Sequence, residues 1–340
     1  MALRPLKYFD GIVLGIETSC DETSVALMRG RDVLANVISS QADLHLKWGG
    51  VVPEAAARKH AEAMLPALQQ ALDEAQLSLA NVSAIAVTNR PGLVGALSVG
   101  VSAAKALAFS LEVPLLGVDH LEGHVLSPAI SADLTFPHVC LLVSGGHTEL
   151  IGVHAPGKYE RLGGTIDDAA GEAFDKSARA LGLGYPGGPA IQNAATRGDS
   201  SRYKLPKGLS GETLDFSFSG LKTAVLYLFR DEGAKLNVSD AAASFEETIT
   251  SVLSERAERA CLGFGAQAAT VVGGVAANVR LRSKLQDIAD RRRIKFTAPP
   301  LTLCTDNAAM IAHAGSIRLA AGERDNFELD VLPTSNKIGK

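Results

Sequence analysis

An internal repeat of architecture is the feature that most constrains the fold of this chain. In each half, an apolar strand runs into a polar turn and a second strand, at residues 12–28 and again at residues 139–153. Later in each half, the pattern predicts a strand, a glycine turn, a helix, a further strand and a helix. The repeat is one of architecture rather than of amino-acid letters. It predicts an α/β protein of two lobes with a cleft between them.

The repeat also sets the expected domain boundaries. Residues 1–117 are predicted to form the first lobe, and residues 118–321 the second, with a mainly helical insert at about 155–265. The C-terminal tail, 322–340, is expected to return to the first lobe. A chain of 340 residues is long enough for two large cores. Its 46% hydrophobic and 21% charged residues exclude a disordered or fibrous protein.

Net charge and cysteine usage limit the binding partners and the cellular compartment that we expect for the protein. A net charge of −4 argues against broad electrostatic coating of a nucleic acid, although local basic patches remain available. The four cysteines are scattered and form no CxxC pair, so we expect free thiols in a reducing compartment. The N-terminus does not resemble a signal peptide, and no apolar run is long enough to suggest a membrane span. The expected location is the cytoplasm, with no membrane partner.

Two histidines four residues apart, His120 and His124, project from one face of a predicted helix. If the halves are related by a pseudo-twofold axis, Asp306 at the start of the last helix would face them from the opposite lobe. Two imidazoles and a carboxylate suit a divalent transition metal in the cleft. The alternative is a pair of unrelated surface or capping histidines. A zinc protease is disfavoured, because Leu121 stands where such enzymes carry glutamate.

The second lobe offers candidate ligand-binding residues. The turn at 142–146 presents backbone amides without bulky side chains, which suits a phosphate but also an ordinary β-turn. Asp175 could accept ribose hydroxyls or pair with Arg179, and Gly188 could admit a ligand or merely permit a turn. Asn278 supplies an amide near a helix start. The residues of the turn are Leu142, Val143, Ser144, Gly145 and Gly146.

Carboxylates and basic residues each form clusters. Glu17, Asp21 and Glu22 crowd the first polar turn, where they could take part in catalysis or shape the cleft. Short basic runs at 197–207 and 291–295 are either nucleic-acid contacts or solvated surface.

Eight segments together resemble the TsaD/Kae/Gcp family, in the right order and over nearly the whole chain. They are GIETSCDET at 15–23, GGVVPE at 49–54, HLEGH at 120–124, LVSGGHT at 142–148, IDDAAGEAFDK at 166–176, YPGGP at 185–189, FSFSGLK at 216–222 and CTDN at 304–307.

The resemblance implies a duplicated ribonuclease H-like fold, shared with actin, hexokinase and heat-shock ATPases. It implies transfer of threonylcarbamoyl from threonylcarbamoyl-adenylate to N6 of adenosine 37, in tRNAs that read codons beginning with A (t6A modification). It further implies that His120, His124 and Asp306 bind Fe²⁺, or alternatively Zn²⁺ or Mg²⁺. The turn at 142–146, Asp175, Gly188 and Asn278 would line the adenylate site. A TsaB-like paralogous subunit and a TsaE-like ATPase are the implied partners.

Two other functions compete with this interpretation. One is a metalloprotease acting on glycoproteins, against which the position of Glu122 in HLEGH counts. The other is a non-catalytic ATP-binding scaffold that opens and closes without metal chemistry. If tRNA is the substrate, we expect charge reversal at Arg291–Arg293 to weaken its binding.

Overall fold

The computed structural model describes residues 6–42, 51–335 and 338. Gly49 and Gly50 of the GGVVPE segment lie outside these ranges, as do residues 336, 337, 339 and 340 of the predicted C-terminal tail. The described residues form two compact units. Unit 1 comprises residues 1–133 and 305–340, and unit 2 comprises residues 134–304.

In the described part of the chain, ten strands form two five-stranded sheets. The strands are β1 Ile12–Glu17, β2 Glu22–Arg29, β3 Asp32–Ser40, β4 Val82–Arg90, β5 Leu115–Asp119, β6 His138–Val143, β7 Thr148–Ala155, β8 Lys158–Gly164, β9 Ala268–Val272 and β10 Lys295–Thr297.

Nine α-helices lie within the described residues. They are α1 Pro53–Ala75, α2 Val94–Leu111, α3 His120–Leu126, α4 Ala170–Ala180, α5 Gly187–Ala195, α6 Ser219–Glu232, α7 Val238–Phe264, α8 Val279–Arg292 and α9 Ala308–Ala320.

The two sheets share one topology, which confirms the predicted duplication. The strand order is β3-β2-β1-β4-β5 in unit 1 and, read from the other edge, β8-β7-β6-β9-β10 in unit 2. In each sheet the first three strands are antiparallel, and the later strands are parallel to the central one. The central strands β1 and β6 are buried along their whole length, so they consist of nearly continuous apolar residues.

Helix α9 belongs to unit 1, although the repeat assigns it to the second half. It packs on β1, β2, β4, β5 and α3. Glycine permits this close approach, since a Cβ at Gly15 would collide with the Ala308 carbonyl and one at Gly315 with the Ala86 side chain. Residues 118–133 also lie in unit 1. The division therefore differs from the predicted boundaries, and Asp306 does not come from the opposite lobe.

The C-terminal segment lies along the sheet of unit 1. Asp325 accepts a hydrogen bond from the Gly117 amide, at 2.8 Å, and its own amide donates to the Leu115 carbonyl. Asn89 donates to the Asp330 carbonyl at 2.9 Å, and Ser335 donates to the Asp119 carboxylate at 2.6 Å. These bonds attach the segment to β4 and β5.

Unit 2 carries helices α4 to α8 together with its sheet. Its apolar core includes Phe174 and Phe245, whose rings meet edge to face with centroids 5.2 Å apart. The region predicted as a helical insert contains four helices, but also strand β8.

A buried histidine in α9 makes the stability of the fold sensitive to acid. His313 is fully buried, and burial, together with the charge of Arg31, lowers its pKa to about 3. In the unfolded chain a histidine takes up a proton near pH 6.5. Between that pH and about 3 the unfolded state therefore binds the extra proton, and stability falls as pH falls.

We expect the His313→Gln variant to lose less stability on acidification than the unmodified protein. The difference in slope should approach about 1.4 kcal/mol per pH unit between pH 6 and pH 4, because one titrating group is removed. Urea unfolding at several pH values measures it. His154→Gln, at an exposed histidine, is the matched control and should keep the original slope; equal slopes in all three proteins would contradict the prediction.

Candidate metal centre and substrate site

The two predicted metal ligands lie on the short helix α3, which begins as soon as β5 ends. Asp119 caps this helix by accepting a hydrogen bond from the Leu121 amide at 2.9 Å. His120 and His124 are both buried, and their ring centroids lie 4.7 Å apart. The cap and the strand end thus fix both rings on one face of the helix.

Asp306 completes the triad from the segment before α9. Its Oδ1 lies 3.0 Å from His124 Nε2 and 3.5 Å from His120 Nε2. One ligand atom from each of the three residues lies within 4.8 Å of the others. Asn307 caps the helix by accepting from the Met310 amide at 3.0 Å, so Asp306 lies just before the helix and not within it.

Glu17, at the end of β1, holds His120 in place. Its Oε2 lies 2.9 Å from His120 Nδ1 and accepts a hydrogen bond from Thr88 at 2.5 Å. Its Oε1 accepts from the Ser19 amide at 2.6 Å. A carboxylate on the far nitrogen of a ligating histidine orients the ring and raises its basicity. Nε2 of His120 is therefore the atom left to face Asp306.

The carboxylates of Glu17 and Asp306 make the surroundings of the two histidines favourable for a cation. Burial opposes a charge on His120, but Asp306 and Glu17 outweigh it and raise the pKa of His120 well above its usual range. Burial alone would raise the pKa of Asp306. The charge of His120 outweighs this effect and lowers the pKa of Asp306 well below its usual value. Burial lowers the pKa of His124. Two imidazole nitrogens and a carboxylate oxygen in this arrangement fit a divalent transition metal.

The other two carboxylates of the first turn have different surroundings. Glu22 accepts a hydrogen bond from Ser40 at 3.2 Å. Burial and the neighbouring charges of Asp21 and Asp306 raise the pKa of Glu22 to about 9. These surroundings favour the protonated form of Glu22, whereas Glu17 is held by its hydrogen bond to His120. The sequence placed these residues together but did not distinguish their roles.

In unit 2, residues 144–147 join β6 to β7, whereas Leu142 and Val143 of the predicted turn are buried residues of β6. The two ends of the connection are tied by hydrogen bonds between Ser144 and His147, at 2.8 Å and 3.1 Å. Gly145 and Gly146 are exposed, and a Cβ on either would meet nothing within 4 Å. Among the described residues no side chain covers these two glycines, so their backbone is accessible to a ligand.

The predicted residues Asp175 and Gly188 lie on neighbouring helices, α4 and α5. Asp175 accepts a hydrogen bond from the Gly187 amide at 2.8 Å, which links the two helices. A Cβ at Gly188 would meet nothing within 4 Å. At the start of α4, Gly171 lies against the Ser144 carbonyl of the turn. The structure therefore joins the turn, α4 and α5 through direct contacts.

Asn278 has a local structural role that the sequence did not reveal. Its side-chain oxygen caps α8 by accepting from the Leu281 amide at 2.9 Å. Its Nδ2 donates to Glu246 on α7 at 2.7 Å. Both ends of the amide are engaged, so Asn278 supports the start of α8.

Comparison with known proteins identifies the family. Residues 32–313 match the model of TsaD: tRNA N6-adenosine threonylcarbamoyltransferase. The chain is 50% identical, over 328 residues, to a curated enzyme of that name from Symbiobacterium thermophilum, covering 95% of this chain and 96% of the relative. The enzyme of the same name from Bartonella henselae is 50% identical over 343 residues, covering 95% and 94%.

This chain belongs to the TsaD family. It is a transferase that carries threonylcarbamoyl to N6 of adenosine in tRNA and so forms t6A. The resemblance stated from the sequence is confirmed, and the metalloprotease and scaffold alternatives are not supported.

Solved structures of low sequence identity share the TsaD-family fold. Full-length HypF in its phosphate- and nucleotide-bound form matches with a TM-score of 0.60 at 13% identity, over 97% of this chain and 48% of that one. The activator of 2-hydroxyisocaproyl-CoA dehydratase from Clostridium difficile, with bound ADPNP, matches with a TM-score of 0.53 at 13% identity, over 92% and 96%. These matches confirm the ribonuclease H-like fold class.

Two further motifs of the TsaD family meet in unit 2. Asp167 of IDDAAGEAFDK accepts hydrogen bonds from Ser217, Phe218 and Ser219 of FSFSGLK, at 2.5 Å to 3.4 Å. Asp168 pairs with Lys222 of the same motif at 2.5 Å. These bonds hold the segment before α4 against the start of α6.

Proposed function

We propose that this TsaD-family enzyme uses threonylcarbamoyl-adenylate as donor and adenosine 37 of tRNAs that read codons beginning with A as acceptor. We further propose that the reaction depends on one divalent metal held by His120, His124 and Asp306. The observation that carries the proposal is the triad of two buried histidines and a half-buried Asp306, with the Glu17 carboxylate 2.9 Å from Nδ1 of His120. Two imidazole nitrogens that converge on one carboxylate oxygen form a ligand set that divalent transition metals bind.

When bound, the metal would supply Lewis-acid chemistry, orienting donor oxygens and offsetting charge on the leaving phosphate. The residues of the chain have their own parts. Glu17 holds the His120 ring so that Nε2 is available, and Asp306 contributes its charge and Oδ1. Among the candidates for proton transfer, Glu17 is fully occupied by His120, Thr88 and Ser19. Asp21 and Glu22 are the remaining candidates.

We propose that the adenylate binds in unit 2. The segment Leu142–Gly146 would line the phosphate, with the exposed backbone amides of Gly145 and Gly146 as donors, and Gly188 leaves space for the nucleoside beside Asp175. Asn278 would contribute by fixing the start of α8, since its side chain is already engaged. The exocyclic amine of adenine is a poor nucleophile. The enzyme must therefore hold N6 of adenosine 37 in line with the carbonyl carbon of the threonylcarbamoyl donor.

A reconstituted assay tests the donor and the acceptor together. Purified protein is combined with a TsaB-like subunit, a TsaE-like ATPase, synthetic threonylcarbamoyl-adenylate and a tRNA transcript. We expect t6A at position 37, and none with a transcript that carries guanosine there. Absence of t6A while the partner proteins are shown to be active would refute the proposal.

The native metal is proposed to be Fe²⁺. Protein purified without oxygen should contain close to one iron per chain. After the metal is removed, Fe²⁺ should restore t6A formation better than Zn²⁺ or Mg²⁺. An active protein that contains only zinc would exclude iron.

The TsaB-like partner is proposed to bind on helices α1 and α2, which pack together in unit 1. Both expose large apolar side chains: Leu65 is 74% exposed and Phe109 is 72% exposed. Helix α2 is the one helix in the described part of the chain that is long and apolar enough to cross a membrane, and only 33% of it is buried. A partner protein would cover this surface, consistent with the proposed cytoplasmic location.

We expect Phe109→Asp to weaken the complex with the TsaB-like subunit at least tenfold, because a charge would be buried in an apolar interface. Titration calorimetry with the purified subunit measures the affinity. Leu262→Asp, at a residue of α7 that is 55% exposed, is the control and should bind normally. Equal affinities for the two variants would place the interface elsewhere.

The basic run at 291–295 remains a proposed tRNA contact. Arg291 and Arg292 both approach Glu258 on α7, at 3.6 Å and 2.8 Å. Their charge is therefore partly compensated, and the expected loss of tRNA affinity on charge reversal includes the loss of these pairs.

A further inference from the structure

Unit 2 contains a cavity of about 250 Å³ that the proposed reaction does not use. It lies between the loop at 207–211 and one face of helix α7. Three cations line it: Lys207 from the loop, and Arg256 and Arg259 from the helix. Lys207 belongs to the basic run at 197–207.

Arg256 is the unusual residue of this cavity. Its side chain is buried, with 4% of the residue exposed, and it forms no ion pair with a carboxylate in the part of the chain that the structure describes. One guanidinium nitrogen donates to the Leu209 carbonyl at 2.8 Å, and the group lies 5.2 Å from the centre of the Phe216 ring. Within the described residues its Nε and Nη1 are buried and have no hydrogen-bond partner.

A buried cation without a counterion is costly. Burial and the neighbouring charge of Arg259 lower the pKa of Arg256, against weaker effects of Glu255 and Asp215. Glu255 is the one carboxylate among the lining residues, and it is already paired with Lys207 at 2.6 Å. Arg259 donates to the Gly211 carbonyl at 2.7 Å. The local charge is therefore positive and incompletely compensated.

Helical spacing aligns the lining residues of α7. Val252, Glu255, Arg256 and Arg259 recur at three- and four-residue intervals, so they share one face. The loop is shaped by Gly208 and Gly211, with φ of +75° and +87°. Both arginines hold loop carbonyls, which preorganises the cavity before any ligand arrives.

We propose that this cavity binds a phosphate group, with Arg256 and Arg259 as its main donors and Lys207 at its edge. A planar guanidinium offers paired N–H groups that match phosphate oxygens, and a phosphate would supply the missing counterion. The phosphate could come from the backbone of bound tRNA or from a free phosphate compound. The tRNA source rests on the proposed function, whereas phosphate binding itself does not.

The test compares Arg259→Gln with Arg230→Gln, a control at an exposed arginine of α6. Because Arg259 is exposed at the cavity edge, its replacement should not disturb folding. Calorimetry with inorganic phosphate, in chloride buffer of matched ionic strength, gives the first measurement. We expect roughly tenfold weaker phosphate binding in Arg259→Gln, the effect of losing one charge-assisted hydrogen bond. Arg256→Lys, which keeps the positive charge but removes the paired N–H groups of the guanidinium, should also bind phosphate more weakly.

A second measurement separates the two sources. If the phosphate belongs to tRNA, Arg259→Gln should weaken tRNA binding and reduce the slope of log affinity against log salt by about one. If the source is a free compound, phosphate binding should weaken while tRNA binding stays at the level of Arg230→Gln. Unchanged phosphate and tRNA binding in both cavity variants would overturn the proposal. Neither measurement requires t6A formation, so an inactive enzyme would count against the proposed function alone.

Discussion

His124→Ala is expected to reduce t6A formation by roughly a thousandfold, since a metal that offsets charge in the transition state contributes several kcal/mol. His124 contributes Nε2 at 3.0 Å from Asp306 Oδ1, and its burial leaves no space for a nearby side chain to replace it. With one imidazole gone, the remaining histidine and carboxylate would bind the metal weakly. Metal content by mass spectrometry and t6A by nucleoside analysis measure the two losses together.

His154→Ala is the matched control, because His154 is an exposed histidine of unit 2, 3.4 Å from Glu160. It should retain both metal and activity. Thermal unfolding of the metal-free proteins separates loss of the ligand from loss of the fold. A His124→Ala protein that forms t6A at the normal rate would exclude a catalytic metal at this triad.

The triad was predictable because sequence spacing determines which side chains share a helix face. His120 and His124 needed only a short helix after a buried strand, and Asp119 provided its cap. The origin of Asp306 was less predictable. The repeat placed it in the second lobe, but α9 crosses to the sheet of unit 1, where Gly15 and Gly315 permit its close approach. No local pattern indicates on which of two similar sheets a helix will pack.

The sequence also did not predict the roles of residues that depend on tertiary contacts. Glu17 was assigned to a group of acidic candidates, and only the fold shows that it lies behind His120. The side chain of Asn278 was expected to face a ligand, but it caps α8 and binds Glu246.

The missed strands have a common physical cause. Strands β3 and β8 lie at sheet edges, with several exposed residues each, so neither has the continuous apolar pattern of a buried strand. Sequence periodicity therefore missed one edge strand of each sheet, although it predicted the strands at the opposite edges, β5 and β10.

Glu17→Gln gives the second large effect expected at the metal centre. The substitution preserves shape but removes the charge that orients and polarises His120 through Nδ1. Burial would raise the pKa of Glu17, yet His120 lowers it overall, so the carboxyl is ionised and its charge is available at neutral pH. Loss of such a partner typically weakens metal affinity by about 10- to 100-fold. We expect that loss in a chelator competition assay.

The metal dependence of activity distinguishes this positioning role from direct catalysis. If Glu17 acts only through His120, excess metal should restore most of the t6A formation lost in Glu17→Gln. If Glu17 touched the reacting atoms, activity would stay low at saturating metal. Glu160→Gln, at an exposed glutamate of β8, should leave metal affinity unchanged. Equal affinity in Glu17→Gln and Glu160→Gln would show that the buried carboxylate serves the fold rather than the metal.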